Sequence, residues 1–141
     1  MKRVRRASAL FFLLSMLFFP SRHGALSQMI REPEEATRVV TVENVQVKNG
    51  TVTGEVHNLS RHTLRDVQIL VRYTWLWNNE FKPGKDDPGA SFYDTVPGEI
   101  PPGGSAKFTF SPSPPLPKRA DGRFETTVSV AGFSEIIPQT R

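Results

Sequence analysis

The run from Leu64 to Trp77 constrains the fold more than any other stretch of this sequence. It carries a large apolar or aromatic side chain at every second position, namely Val67, Ile69, Val71, Tyr73, Trp75 and Trp77. Polar residues stand between them, as at Gln68, Arg72 and Thr74. A β-strand points alternate side chains to opposite faces, whereas a helix repeats every 3.6 residues. The run therefore predicts a long strand with one buried face.

The same alternation recurs in shorter stretches on both sides of this run. Strands are predicted near residues 39–48, 51–57, 90–96, 105–110 and 122–133. Glu43-Asn44 interrupts the first stretch with a bulge or a strand end, and Asn49-Gly50 predicts a type I′ hairpin turn after it. Short strands with turn residues between them predict an all-β fold, an antiparallel immunoglobulin-like or fibronectin-type sandwich of six to seven strands. A small closed barrel is the alternative, but a barrel needs strands of matched length.

The first 27 residues have the layout of a secretory signal peptide. A basic start precedes the uncharged apolar run Ala9–Phe19. Small residues at Ala25 and Ser27 favour cleavage before Gln28. An uncleaved membrane anchor is the alternative, but a span needs about 20 apolar residues and this run is little more than half as long. The sequence predicts removal of residues 1–27 and no stable membrane span after processing.

Cysteine content and charge narrow the location and the partners. The chain has no cysteine, and export without disulfides favours a bacterial periplasm or a bacterial secreted protein. The first 27 residues hold five of the 18 Lys and Arg and none of the 14 Asp and Glu, which leaves 13 bases and 14 acids in the remainder. A near-neutral domain has no basic field to attract phosphate, so no nucleic-acid binding is expected. Residues 28–37 are polar and predict a flexible lead-in to one β-sandwich domain over residues 38–137.

Three stretches resemble the FxLYD-type group of bacterial envelope domains. They are Val52–Ser60, Leu64–Ile69 and Ile100–Phe108, which follow the patterns V-x-G-x-V-x-N-x-S, L-x-x-V-x-V and I-x-P-G-x-x-x-x-F. The stretch Tyr73–Trp77 stands where the group has a Leu-Tyr-Asp-like strand end, and the loop after it is longer. The resemblance implies a β-sandwich that acts as a binding or spacer module.

Candidates for catalysis or metal binding are few. His57 and His62 are the histidines that follow the predicted signal peptide, and Ser60 and Asp66 lie close to them in sequence. A catalytic triad also needs an oxyanion hole, which one short turn does not supply. Two histidines are fewer ligands than a transition-metal site needs, and Asp86-Asp87 lacks the alternating oxygen ligands of a calcium loop. We therefore expect no enzyme activity, no metal and no cofactor.

Aromatic residues are the strongest candidates for binding. Tyr73 and Trp75 share the parity of the core-facing valines and are expected in the core, whereas Trp77, at the strand end, suits the core or the surface equally. The segment 78–104 is long for a compact domain, and such segments are often functional. It predicts contacts to a partner protein through Trp77, Phe81, Phe92 and Tyr93.

The sequence as a whole predicts a non-catalytic, exported envelope module that serves protein–protein interaction or structure, with another envelope protein as its partner. The alternative is a domain that binds a small ligand, a sugar or a weakly held metal ion. The tract Pro112–Pro117 is predicted as an extended connector between strands, with docking into an aromatic-lined groove as its alternative. The oligomeric state is not predicted.

Overall fold

The computed structural model describes residues 33–139, so the predicted signal peptide lies outside the described residues. Within this range the elements are α1 Pro33–Val39, β1 Val40–Lys48, β2 Thr51–Asn58, β3 Thr63–Trp77, β4 Ala90–Thr95, β5 Ser105–Phe110 and β6 Gly122–Ile136. All six strands fall where side-chain alternation predicts them. Pattern alone locates a strand that buries one face, as β3 does, whereas residues 43–48 of β1 are exposed throughout.

The strands form two antiparallel sheets of three strands each. One sheet has the order β1-β2-β5 and the other the order β4-β3-β6. One continuous apolar cluster joins them, with Val52 and Val56 from the first sheet and Ile69 and Val71 from the second, all fully buried. This arrangement confirms the all-β sandwich. Within residues 33–139 no strand of one sheet pairs with a strand of the other, so the barrel alternative is wrong.

The long strand β3 behaves as its sequence predicts. Its alternate residues are buried from Val67 to Trp75, while Gln68, Arg72 and Thr74 are exposed. Strand β3 is central in its sheet, so both of its edges are paired and its inner face meets the opposite sheet. Burial of the inner face supplies the main stabilisation of the fold, at about 25 cal/mol per Å² of apolar surface.

Two local backbone features in the first hairpin are also confirmed. The register of β1 and β2 shifts between Glu43 and Gln46, where Asn44 has a φ of 54°. The hairpin turn has positive φ at both central residues, 52° at Asn49 and 82° at Gly50, as a type I′ turn requires. The bulge and the turn fix which valines of β1 and β2 face the core.

The predicted flexible lead-in over residues 28–37 needs correction in its described part. Residues from Pro33 onward form the helix α1, in which Ala36 and Val39 are buried, at 4% and 8% exposure. The helix packs against β6 and β1, at one edge of the sandwich. Two buried residues in seven give no detectable helical period, so the pattern alone does not reveal it.

The chain enters and leaves the sandwich at the same end, which we call the terminal end. β1 begins at Val40, opposite Asn58, and β6 ends at Ile136, opposite Thr63. The opposite end, which we call the loop end, carries the Asn49-Gly50 turn, the loop 78–89 and the connection 111–121. The two sheets are joined there by the Tyr73 hydroxyl, which donates a hydrogen bond to the Gly50 carbonyl at 2.6 Å.

Candidate functional site

The four aromatic residues predicted to contact a partner fall into two groups. Phe81 and Tyr93 are exposed, at 97% and 69% of their surface. Trp77 and Phe92 are half-buried and pack against other side chains. Only the first pair presents an open aromatic ring to solvent.

Phe92 lies on the inner face of β4. Its ring meets Tyr73 edge-on, with centroids 6.1 Å apart, and tilts against Phe110 at 5.4 Å. Because Phe110 belongs to β5, this contact joins the two sheets along their β4–β5 side. Phe92 is therefore part of the packing between the sheets, and its half-buried ring offers less surface to a partner than Phe81 or Tyr93 does.

The indole ring of Trp77 packs against the backbone of the loop 78–89. A Cβ added at Gly84 would lie 2.7 Å from the Cη2 and Cζ3 atoms of Trp77, so the loop backbone rests directly on the indole ring. Only glycine permits this approach. The other neighbours of the ring are Trp75, whose ring centroid is 6.1 Å away, and the guanidinium of Arg119, 5.1 Å from the ring centroid. Trp77 acts as a platform for the loop.

Arg119 connects this loop to the connection 111–121. Its Nε donates to Asp121 Oδ1 at 2.9 Å, its Nη2 donates to Asp121 Oδ2, and its Nη1 donates to the backbone carbonyl of Asp86 at 3.0 Å. The same pairing lowers the pKa of Asp121 and raises the pKa of Arg119. The planar guanidinium fits this role because it forms a bidentate carboxylate pair and a stacking contact at the same time. Sequence reasoning missed Arg119, because Asp86 and Trp77, which it links to Asp121, are far from it along the chain.

Phe81 sits near the tip of the loop held in this way. The Phe81 amide donates to Asn79 Oδ1 at 3.1 Å, and the Lys82 amide donates to the Asn79 carbonyl at 3.1 Å. At the base of the loop, Asn78 donates to the carbonyls of Ala120 and Asp121. The exposed ring of Phe81 is thus presented by an ordered turn.

A cleft of about 610 Å³ opens beside this region, between the Asn49-Gly50 turn and the tract Pro112–Pro117. Leu116 and Phe124 contribute apolar walls, and Lys118 lies at its border. The tract joins β5 to β6, so the predicted role as a connector between strands is confirmed. The cleft itself has no counterpart in the sequence analysis, because its two sides are far apart in the chain.

The residues weighed for catalysis do not converge. The Ser60 hydroxyl bonds to Asn58 Oδ1 at 2.7 Å and to the His62 carbonyl at 2.9 Å. The His62 ring instead lies 3.2 Å from Glu135 Oε2. His57 Nδ1 bonds to the Ser105 hydroxyl at 2.8 Å, on the outer face of the other sheet. Among residues 33–139, no group of three or more His, Cys, Asp or Glu side chains could hold a metal ion.

Asn58 explains several residues of the family-like pattern in structural terms. It is the buried polar residue of the core, and its amide nitrogen lies 2.8, 2.9 and 3.1 Å from the carbonyls of His62, Ile100 and Pro101. Its Oδ1 accepts from the Ser60 amide at 2.9 Å. The N-x-S and I-x-P-G elements of the pattern therefore meet at the terminal end, where Asn58 ties them together by hydrogen bonds.

In the part of the chain that the structure describes, no helix is both long and apolar enough to cross a bilayer. Comparison of the chain with family models, with curated proteins and with solved structures finds no match. The resemblance to FxLYD-type domains stays a prediction.

Proposed function

We propose that the chain is a non-catalytic, exported envelope module that binds another protein through its loop end. The observation that carries this proposal is Phe81, a phenylalanine that is 97% exposed on an ordered loop. A ring of this size gains free energy when it leaves water, and large aromatic side chains are enriched among the residues that dominate protein interfaces.

The support beneath Phe81 strengthens the proposal. Trp77, Gly84 and Arg119 fix the loop to the body of the sandwich. A contact residue that is already ordered loses little conformational entropy on binding, so more of its contact energy appears as affinity. The loop thus fits a role in recognition better than a role as a simple connector.

The position of the loop fits the proposed topology of export. The chain enters and leaves at the terminal end, so the segment that precedes the domain attaches far from Phe81. The loop end is the end of the sandwich that lies away from the described start and finish of the chain. Tyr93, on the outer face of β4 opposite Leu70 in the register, supplies a second exposed ring on the flank of the sandwich.

Site-specific photo-cross-linking in the native cell tests this proposal. In one variant a benzophenone amino acid replaces Phe81. In the control variant it replaces Thr109, an exposed residue on the outer face of β5. We expect a discrete protein adduct from position 81 and none from position 109. The adduct from position 81 should lose intensity when unlabelled wild-type protein competes, but not when Phe81→Ala protein competes. Equal adduct patterns from both positions would contradict the proposal.

A stability measurement separates binding from folding. Phe81→Ala removes a ring that contacts solvent over nearly its whole surface, so we expect the urea midpoint to stay unchanged. Phe92→Ala removes a ring packed between the sheets and should lower the midpoint clearly. Loss of partner binding in Phe81→Ala therefore reports a lost contact and not a lost fold.

A further inference from the structure

We propose that the cleft between the Asn49-Gly50 turn and the tract Pro112–Pro117 binds an extended peptide segment of the partner, one with an apolar side chain next to a carboxylate. This inference rests on the proposed protein-binding function and names the chemistry of the partner. It is carried by three properties of the cleft, namely its size and walls, its backbone acceptors and its charge.

The walls suit an apolar side chain. The cleft has a volume of about 610 Å³ and is bordered by the prolines of the tract, by Leu116 and by Phe124. A cavity of this size lies within the usual range of ligand sites, about 300–1,000 Å³. Leu116 and Phe124 are half-buried and also pack against the core. The walls are therefore anchored to the sandwich while part of their apolar surface is still open.

The backbone of the tract offers hydrogen-bond acceptors. Four of its six residues are proline and have no amide hydrogen. Within residues 33–139, the backbone groups of residues 112–117 form no hydrogen bond to another backbone group. Their carbonyls can accept from the amide groups of an extended peptide. A fatty acid or another simple amphiphile has no such donors, which favours a peptide as the occupant.

The charge at the border of the cleft indicates which polar group the ligand carries. Lys118 is the one charged residue among those that border the cleft in the described part of the chain. Thr51 and Ser111, which share a hydrogen bond of 2.9 Å between their hydroxyls, lie on the same border. An ammonium group and hydroxyls beside an apolar wall complement a carboxylate that follows an apolar side chain.

The cleft is held in shape before any ligand arrives. The Tyr73 hydroxyl fixes the Gly50 carbonyl from inside the sandwich. A Cβ added at Gly50 would reach van der Waals distance of Leu116 Cδ1, 3.4 Å, so the turn and the tract face each other directly. The turn is fixed by Tyr73 and the tract by the packing of Leu116 on the core, which limits the reorganisation that binding requires.

The test uses the acetylated tripeptide Leu-Val-Leu as a probe, once with a free carboxylate and once as the C-terminal amide. Binding is followed by amide chemical shifts of the ¹⁵N-labelled protein without residues 1–27. We expect the acid peptide to shift the amides of Gly50, Thr51, Leu116 and Lys118, with a dissociation constant in the range of about 1 mM. The amide peptide should bind about threefold more weakly, as expected for loss of one exposed ion pair.

Two lysine variants provide the matched comparison. Lys118→Gln should bind the acid and the amide peptide equally, whereas Lys107→Gln, on the outer face of β5, should keep the threefold preference. The inference is overturned if the wild type shows no shift at about 10 mM peptide, if it binds both peptides alike, or if decanoate shifts the same amides as strongly as the acid peptide. Cross-links from position 81 that persist after such a result would leave the protein-binding function standing and remove only the cleft.

Discussion

At the scale of single residues, buried polar groups carry the specificity of this fold. Asn58 has no exposed surface, yet its amide nitrogen and its Oδ1 both have partners. An unpaired polar group in such a place would destabilise the fold by about 1–3 kcal/mol. The sequence pattern does not reveal this role, because the partners Ile100 and Pro101 are far from Asn58 along the chain.

Replacing this amide by a carboxylate gives a direct prediction. In Asn58→Asp the donor nitrogen becomes an acceptor that faces three carbonyl oxygens. We expect the free energy of unfolding, measured by urea denaturation at neutral pH, to fall by at least about 3 kcal/mol. Asn49→Asp is the control, because Asn49 is exposed in a type I′ turn that accepts aspartate. Equal stability of the two variants would contradict the structural role of Asn58.

Tyr73 carries a second buried polar group, a hydroxyl whose role can be tested by removing it alone. Tyr73→Phe removes the hydrogen bond to Gly50 and leaves the ring packing intact, so stability should fall by about 1 kcal/mol in urea unfolding. Tyr93→Phe, on an exposed ring, should leave stability unchanged. A drop of the same size in both variants would show that the Tyr73 bond is not the cause.

Burial raises the pKa of the Tyr73 phenol. The unfolded chain then releases this proton at a lower pH than the folded chain does. The corresponding stability is fully present below the ordinary tyrosine pKa, about 10, and is lost as the pH rises through the raised value. We expect this loss to be absent from Tyr73→Phe when both proteins are unfolded with urea at neutral and at alkaline pH.

At the scale of elements, strands are the part of the structure that sequence predicts well. A strand that buries one face shows a period of two directly in its residue types, as β3 does. The helix α1 and the loop 78–89 are different, because few of their residues are buried. Their conformations depend on contacts from distant segments, such as Arg119 on Trp77, which no local pattern encodes.

We therefore expect Arg119 to protect the loop 78–89 from proteolysis. Lysine cannot form the bidentate pair with Asp121 and also reach Asp86 with a planar group. In Arg119→Lys we expect faster tryptic cleavage after Lys85 than in the wild type, followed by mass spectrometry under native conditions. Lys82 is followed by Pro83 and should resist trypsin in both proteins. Arg123→Lys, at an exposed position of β6, is the control and should cleave at the wild-type rate.

Acid should release the same contact. Hydrogen bonding to Arg119 lowers the pKa of Asp121, so the pair is complete above the ordinary aspartate pKa and is lost as the pH falls through the lowered value. Trp75 and Trp77 are the chain's two tryptophans, and both contact Arg119. We expect a change in tryptophan emission below about pH 4 in the wild type. Asp121→Asn lacks the titrating carboxylate and should not show the change, whereas the control Asp66→Asn should retain it. Far-UV circular dichroism at each pH confirms that the strands persist.

At the scale of the whole molecule, export is a separate prediction. The basic start, the apolar run and the small residues before Gln28 favour cleavage of residues 1–27. When the full chain is expressed in a bacterium, we expect a soluble envelope protein whose N-terminal peptide begins at Gln28 by mass spectrometry. An intact Met1 on membrane-bound protein would contradict this and favour an anchor.

The pairing of β3 with β6 has a consequence for the kinetics of folding. Residues 63–77 must find residues 122–136, and β2 must find β5 across the whole of β3 and β4. Bringing such distant segments together costs chain entropy before their contacts stabilise the structure. Sandwiches of this kind therefore fold slowly, in about milliseconds to seconds. The β4-β3-β6 sheet cannot be completed until β6 has been synthesised. The proposed export would gain time from this order, because the sheet stays incomplete, and the chain open to translocation, until β6 is available.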